Sequence, residues 1–285
     1  MQLITGILLI VSLAITGCAE LPAVRNFSAN TLDLAGSIDR IAKDTSASCF
    51  RRLSLDVPIK GISEEKRNQY ADVCEQLKQS SDLFIDLNST TRGYAQVLGQ
   101  LADNKLVIFD NDVAGVKNAI AKLESTTGPA YFNAAQLNAV GSLADVVLRA
   151  ATDAYRQQEI RRLLEHQEDF VQLAAVLQNF IRRAYLPTLA NEEGNLGSIE
   201  EILTDKYIRL EPLRARELLE LLKQQRVNLA GRKKAANDAL IGIEKMVVVH
   251  RQLLQNADNS KLLIGLLKDY GLQIQNVRKQ INASF

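Results

Sequence analysis

The chain has 285 residues and a formal net charge of +1, with 34 Lys and Arg against 33 Asp and Glu. A chain of this length suits one large domain or two small ones, and the near-zero charge gives no electrostatic case for nucleic acid as a partner. Aromatic residues make up only 5%, Trp is absent and there are only 5 Pro. This composition favours long helices over β-structure, which is usually richer in aromatic residues and turn prolines.

The opening residues, 1–17, have the character of an export signal. Their apolar part, Leu3 to Thr16, has about 14 residues, fewer than the roughly 20 that a helix needs to cross a bilayer. It ends in Ile15-Thr16-Gly17-Cys18, which resembles the lipobox of bacterial lipoproteins. The family pattern usually has Leu in place of Ile15 and a Lys or Arg near the start. An ordinary cleaved signal and an uncleaved anchor are the alternatives.

The lipobox resemblance implies that residues 1–17 are removed and that Cys18 becomes the first residue of the mature protein, carrying three acyl chains. Several acyl chains make anchoring effectively permanent, because each buried methylene contributes about 0.8 kcal/mol. In this family an Asp directly after the cysteine tends to retain the protein in the inner membrane. Here that residue is Ala19, which implies the outer membrane, with the body of the protein in the periplasm.

The two remaining cysteines, Cys49 and Cys74, are predicted to form a disulfide. An export signal sends the chain to an oxidising compartment, where paired cysteines are usually bonded. The bond would close a loop of about 26 residues. The entropy that this loop closure removes from the unfolded chain corresponds to a stabilisation of roughly 3.5 kcal/mol. Two buried free thiols are the alternative, and the sequence has no Cys-x-x-Cys pattern of a redox pair.

The first half of the mature chain begins with a predicted helical hairpin, residues 21–103. Seven apolar or small residues recur in its first helix at steps of three and four: Val24, Phe27, Thr31, Leu34, Ile38, Ile41 and Thr45. Such spacing is typical of long helices that pack as in coiled coils. Residues 50–62, with Pro58, are predicted to be a loop. Ser63 is then predicted to cap a second helix, with a heptad stripe from Tyr70 to Leu101.

Shorter helices are predicted between residues 112 and 190, the first of them capped by Asp112. Two apolar patterns follow, over residues 134–155 and 157–188, and the sequence leaves open whether they form one rod or two helices. Residues 191–197, which read Asn-Glu-Glu-Gly-Asn-Leu-Gly, are predicted to be a hinge. The N-terminal bundle would then span residues 18–190.

The segment of residues 198–285 is predicted to pack on that same bundle. Ser198 is predicted to cap a helix that Pro212 ends, and a heptad pattern then runs for about forty residues, with a bend near Gly231 as the alternative. A last helix follows Ser260. The predicted fold class is therefore all-α, an elongated bundle of long antiparallel helices with coiled-coil-like seams.

No motif with the spacing of an active site, a cofactor site or a metal site occurs in the sequence. His166 and His250 stand alone, outside any Glu-x-x-His frame, and neither a phosphate-binding loop nor Gly-x-Gly-x-x-Gly is present. The basic pairs Arg161-Arg162 and Arg182-Arg183 are predicted to be solvated helix faces, with binding of anionic lipid as the alternative. We therefore predict a protein that is not an enzyme.

Three functions remain as hypotheses. The first is a lipid-anchored envelope protein that acts as a scaffold or interaction module, binding another envelope protein or itself through helical seams. The second is a membrane-active protein that resembles α-helical pore-forming toxins in outline, although the mature chain has no apolar run long enough to insert. The third is an enzyme or ligand carrier with a pocket between helices, which the low aromatic content disfavours.

Overall fold

The computed structural model describes residues 20–103, 114–125, 131–150, 156–256 and 259–285. Within these ranges every regular element is a helix, so the predicted all-α fold class is confirmed. The helices are α1 (Glu20–Lys60), α2 (Glu64–Ala102), α3 (Ala114–Ser125), α4 (Ala134–Ala150), α5 (Arg156–Glu165), α6 (Gln167–Phe180), α7 (Leu186–Ile202), α8 (Ile208–Leu210), α9 (Pro212–Gln255) and α10 (Ser260–Ser284). Cys18 and the other residues that resemble a lipobox lie outside the described residues.

Helices α1 and α2 form the predicted antiparallel hairpin, but the loop predicted for residues 50–62 is wrong. α1 continues as a helix through Pro58 to Lys60, and the chain turns at Gly61, whose φ of 63° suits glycine. Leu55 packs against the core, and this packing outweighs the low helix propensity that the sequence indicated. The predicted cap is confirmed, because the Ser63 side chain accepts a hydrogen bond from the Lys66 N–H.

The predicted apolar stripe is buried throughout in α1 but only along the second half of α2. All seven stripe residues of α1 are buried, so that helix packs as its periodicity predicted. In α2 the stripe is wrong at its start, because Tyr70 is 41% exposed and Val73 is 54% exposed. Burial along the α2 stripe begins at Phe84 and continues to Leu101. A continuous coiled-coil seam along α2 is therefore not seen.

The region between residues 134 and 188 folds back on itself, so the single rod is excluded. The Ser142 hydroxyl lies 3.0 Å from an Asp169 carboxylate oxygen, and the Asn179 amide donates to Gln136 at 3.3 Å. These pairs place α4 antiparallel to α6. The predicted cap Asp112 lies outside the described residues, and α3 begins at Ala114.

The predicted hinge at residues 191–197 is wrong, because α7 runs through it without a break. Glu192 and Asn195 are buried there, and their hydrogen bonds to α1 hold this polar, glycine-containing segment in a helix. Ser198 lies inside α7 and caps nothing. A π-helical turn precedes α7, so Pro187 sits in a first helical turn, where its missing N–H is tolerated.

Helix α9 runs unbroken through Gly231 and packs antiparallel to α10. The Lys245 ammonium contacts Asp269 at 2.6 Å, and the Gln273 amide donates to the Asp238 carbonyl at 2.9 Å. A Cβ at Gly231 would lie 2.9 Å from the Cβ of Ser284. Glycine at this position therefore permits close approach of the two helices, and the alternative of a bend is not seen.

The contacts of α1 fix the direction of its neighbours. Ser48 of α1 contacts Glu192 of α7, and Arg52, further along α1, contacts Asn195, further along α7. Residue numbers therefore increase in the same direction along both helices, so α1 and α7 are parallel. The turn at Gly61 and the turn at Glu211 therefore lie at the same end of the bundle, which we name the turn end. Glu20, where α1 starts, lies at the opposite end.

Candidate functional site

A cluster of four charged side chains lies near the middle of α1 and α9. Asp44, Glu192 and Arg232 are buried, and Arg51 is partly buried. Arg232 binds Glu192 through two parallel hydrogen bonds of 3.1 Å. Arg51 bridges the two carboxylates, with 2.8 Å to Asp44 and 3.1 Å to Glu192. The cluster therefore ties α1, α7 and α9 together, and its formal charges cancel.

Neighbouring hydroxyl groups satisfy the remaining carboxylate oxygens of this cluster. Tyr185, in the π-helical turn before α7, donates to Asp44 at 2.8 Å, and Ser48 donates to Glu192. Burial raises the pKa of the Asp44 carboxyl, and contact with Arg51 opposes that effect. Burial likewise raises the pKa of Glu192, opposed by the hydrogen bond from Ser48 and the charge of Arg51. Because the side chain of Arg232 is only 3% exposed, we expect removal of this side chain alone to be strongly destabilising, since it would leave Glu192 buried without its partner.

The predicted disulfide is confirmed and stands beside the ion cluster. Cys49 of α1 is bonded to Cys74 of α2, with 5.5 Å between their Cα atoms. Cys49 directly follows Ser48, the residue that donates to Glu192. The covalent link between α1 and α2 and the ionic link from α1 to α7 and α9 therefore meet at one level of the bundle.

A second buried polar group surrounds His250, toward the end of the bundle at which α1 starts. Nε2 of His250 lies 2.5 Å from the Tyr94 hydroxyl, and Nδ1 lies 2.7 Å from the Gln167 amide oxygen. Its ring stacks on Phe170 with 4.0 Å between centroids. The Tyr94 hydroxyl donates to the Leu163 carbonyl at 3.1 Å. His250, Tyr94 and Gln167 therefore belong to one continuous hydrogen-bonded group. Burial lowers the pKa of His250 to about 3.

We expect His250 to make the protein less stable as the pH falls. Its pKa is about 3 in the folded chain against an ordinary 6.5, so below 6.5 the unfolded chain binds a proton that the folded chain does not. The contribution of this residue to the free energy of unfolding is fully present above pH 6.5. Below pH 6.5 it falls by about 1.4 kcal/mol per pH unit, until His250 is protonated in the folded chain as well. Denaturant titrations at a series of pH values measure this slope.

The variant His250→Gln is expected to lose that contribution, so the difference in unfolding free energy between wild type and variant should shrink as the pH falls. His166→Gln is the control, because His166 is partly exposed and pairs with Asp169 at 3.0 Å. Comparing differences between variants cancels the titration of carboxylates such as Asp44. A difference for His250→Gln that stays constant from neutral to acidic pH would contradict the buried neutral state.

The turn end also exposes apolar side chains, which we name the apolar tip: Leu210, Leu213, Leu221 and Val227. Among the described residues, these are four of the five large apolar side chains that are more than 60% exposed, and Leu213 is 82% exposed. Leu213, Glu217 and Leu221 are spaced at i, i+4 and i+8, so they share one face of α9. Large exposed apolar side chains grouped on one element are typical of interaction sites.

The four arginines of the basic pairs found in the sequence are exposed, as predicted, and three of them form ion pairs. Arg161 contacts Glu165 and Arg162 contacts Glu159, both within one helix, and Arg182 contacts Glu244. In the described part of the chain, no group of His, Cys, Asp and Glu side chains could hold a metal ion. No helix among the described residues is both long enough and apolar enough to span a bilayer.

Sequence reasoning found part of this site. Cys49 and Cys74 were paired because an export signal implies an oxidising compartment. Arg232 and His250 fall within the heptad pattern predicted to follow Pro212, whereas Asp44, Arg51 and Glu192 were missed. The signal that could have found them is Arg232 itself, since a charged residue at a buried stripe position requires a buried counter-ion. No protein-family model, no curated protein and no solved structure matches this chain.

Proposed function

We propose that this chain is a lipid-anchored protein of the cell envelope whose helical body acts as a scaffold, and that the apolar tip binds another envelope protein. The lipobox resemblance at Cys18 supports the envelope address. The observation that carries the interaction role is the grouping of strongly exposed leucines, Leu213 foremost, at one end of the bundle. Exposed leucines spaced along one helix are recognised by the apolar face of a partner helix.

The start of α1 and the apolar tip lie at opposite ends of the bundle. α1 starts at Glu20, two residues after Cys18, and has 41 residues, which corresponds to about 60 Å at 1.5 Å per residue. An acylated Cys18 would therefore hold the N-terminal end of the bundle at the membrane and the turn end far from it. This arrangement suits contact with a protein across the periplasm better than insertion of the tip into the same membrane.

The charges beside the apolar tip favour a basic partner over a second copy of the same surface. Leu213, Leu221 and three charged residues, Arg216, Glu217 and Glu220, line one shallow depression on α9, so its lining has one negative charge in excess. Within the described residues Glu217 forms no ion pair, and Glu220 has only a long contact of 3.7 Å with Lys223. Two copies packed face to face would bring these carboxylates together. We therefore propose a partner helix with Lys or Arg residues beside its apolar residues.

A photo-crosslinking amino acid at position 213 tests this proposal in intact cells that make the protein natively. We expect one discrete adduct with a different envelope protein, identified by mass spectrometry of the crosslinked peptides. Changing Glu217 and Glu220 together to Lys should remove most of that adduct, because like charges then face each other. The crosslinked peptide of the partner should contain basic residues within an amphipathic helix.

Position 264 provides the matched control. Ile264 is 65% exposed, much like Leu221 at 62%, but it belongs to the first turns of α10, away from the turn end. A crosslinker there should give no such adduct. Equal crosslinking at positions 213 and 264, or a crosslink at 213 only to the protein's own copies, would contradict binding of a foreign partner through the tip.

A further inference from the structure

A groove of about 590 Å³ opens beside the disulfide. It lies between the α1–α2 hairpin, the end of α3, Tyr131 and the first turns of α7. Its volume falls in the range of about 300–1,000 Å³ that is typical of small-molecule sites. The groove is separate from the apolar tip, which is formed by α8 and α9.

The floor and walls of the groove are largely apolar. Val73, Leu77, Leu83, Leu123 and Tyr131 line it, and these side chains come from three separate parts of the chain. Val73 is 54% exposed although it belongs to the predicted apolar stripe of α2. Its exposure leaves apolar surface facing the groove instead of another helix. Apolar walls of this kind hold hydrocarbon chains through burial of surface area.

A single cation stands among the described residues that line the groove. Arg52 is half-buried and its backbone carbonyl accepts a hydrogen bond from Asn195, so its place on α1 is fixed by α7. Its neighbour Arg51 contacts two carboxylates, whereas Arg52 forms no ion pair within the described residues. No Asp or Glu is among the residues that line the groove. Among the described residues, the lining of the groove therefore carries one positive charge and no negative charge, beside an apolar surface.

We propose that this groove binds an amphipathic anion, a molecule with one hydrocarbon chain and a carboxylate or phosphate head. The chain lies against Leu77, Leu83 and Leu123, and the head binds the Arg52 guanidinium, whose planar fork matches both kinds of oxyanion. Fatty acids and single-chain phospholipids share this chemistry. The site goes beyond the proposed scaffold role and does not depend on it, because it uses different residues.

The proposal can be tested with three photoactivatable probes added to membranes from cells that make the full chain. The probes are hexadecanoate, hexadecyl phosphate and hexadecylamine. We expect the two anionic probes to label peptides from α2 or around Tyr131, and the amine to label them roughly tenfold less or weaker still, because it meets a like charge. Excess unlabelled hexadecanoate should compete. Stronger labelling by the acid than by the phosphate would indicate fatty acid as the source, and the reverse would indicate phospholipid.

Two variants locate the site. Leu77→Trp fills the groove and should abolish specific labelling, and Arg52→Gln should weaken labelling by both anions while leaving the amine unchanged. Arg216→Gln, an exposed residue at the apolar tip, is the matched control and should have no effect. Retention of the disulfide on non-reducing gels shows that each variant folds. Equal labelling by all three probes, or labelling that survives Leu77→Trp, would overturn the proposal.

Discussion

Replacing Arg232 by Met is expected to lower the free energy of unfolding by about 3–5 kcal/mol, because two buried carboxylates then lose their shared counter-ion. Glu192 would lose both of its 3.1 Å hydrogen bonds from this guanidinium. Arg51 would remain, but its side chain is 31% exposed and already forms an ion pair with Asp44. Denaturant titration followed by circular dichroism, with all variants in the same detergent, measures the change.

The adjacent residue supplies a matched control for this prediction. Lys233 pairs with Glu193, whose side chain is 54% exposed, so Lys233→Met should cost less than about 1 kcal/mol. Changing Glu192 to Met together with Arg232 should recover much of the loss, because Asp44 and Arg51 still neutralise each other. Equal small effects of Arg232→Met and Lys233→Met would show that the cluster does not hold the helices together.

Loss of the disulfide is the second large expected effect. Changing Cys49 and Cys74 together to Ser should lower the unfolding free energy by about 2–5 kcal/mol, because the unfolded chain gains the freedom of the opened loop. The bond joins α1 to α2 where the early turns of α2 are mostly exposed, so we expect the hairpin tip to fray first. Hydrogen exchange of residues 50–75, compared with the centre of α9, would detect this local effect.

Reductant provides an internal check on the disulfide prediction. Under denaturing conditions it should destabilise the wild type to the level of the double Ser variant and leave that variant unchanged. Cys74 is fully buried and Cys49 is nearly so, so reduction of the folded protein should be slow. A wild type that unfolds at the same denaturant concentration with and without reductant would contradict a stabilising role for the bond.

The elements that sequence analysis predicted correctly are those in which local and tertiary signals agree. The apolar stripe of α1, the Ser63 cap and the break before Pro212 each rest on one local rule. The cysteine pairing followed from the compartment that the export signal implies and from an antiparallel hairpin. In each case the local pattern alone was sufficient to predict the structure, and contacts with distant residues did not change it.

The errors occur where distant contacts outweigh local propensity. Residues 191–197 contain two glycines and two asparagines and read as a hinge, yet Glu192 anchors them as a helix through Arg51 and Arg232. Pro58 read as a loop residue, yet the helix continues past it because Leu55 packs on the core. The exposed start of the α2 stripe could not be foreseen either, because periodicity predicts an apolar face but not whether another helix covers it.

The candidate sites follow the same division. The apolar tip was invisible in the sequence, because Leu213 and Leu221 look like ordinary members of a long amphipathic helix. The groove beside Arg52 depends on α2, α3 and α7 meeting at one level, which no single segment encodes. The proposed envelope address, in contrast, rests on the lipobox resemblance at Cys18, which is a purely local motif and needs no contribution from the fold.

The most direct test of the account is the intact mass of the protein extracted from membranes, before and after reduction and thiol labelling. We predict a chain that begins at Cys18 with three acyl chains attached, and with Cys49 and Cys74 resistant to labelling until reduced. A chain that retains residues 1–17, or one that begins elsewhere without acyl chains, would contradict the envelope anchor. Free thiols at Cys49 and Cys74 would contradict the oxidising compartment on which the functional proposal depends.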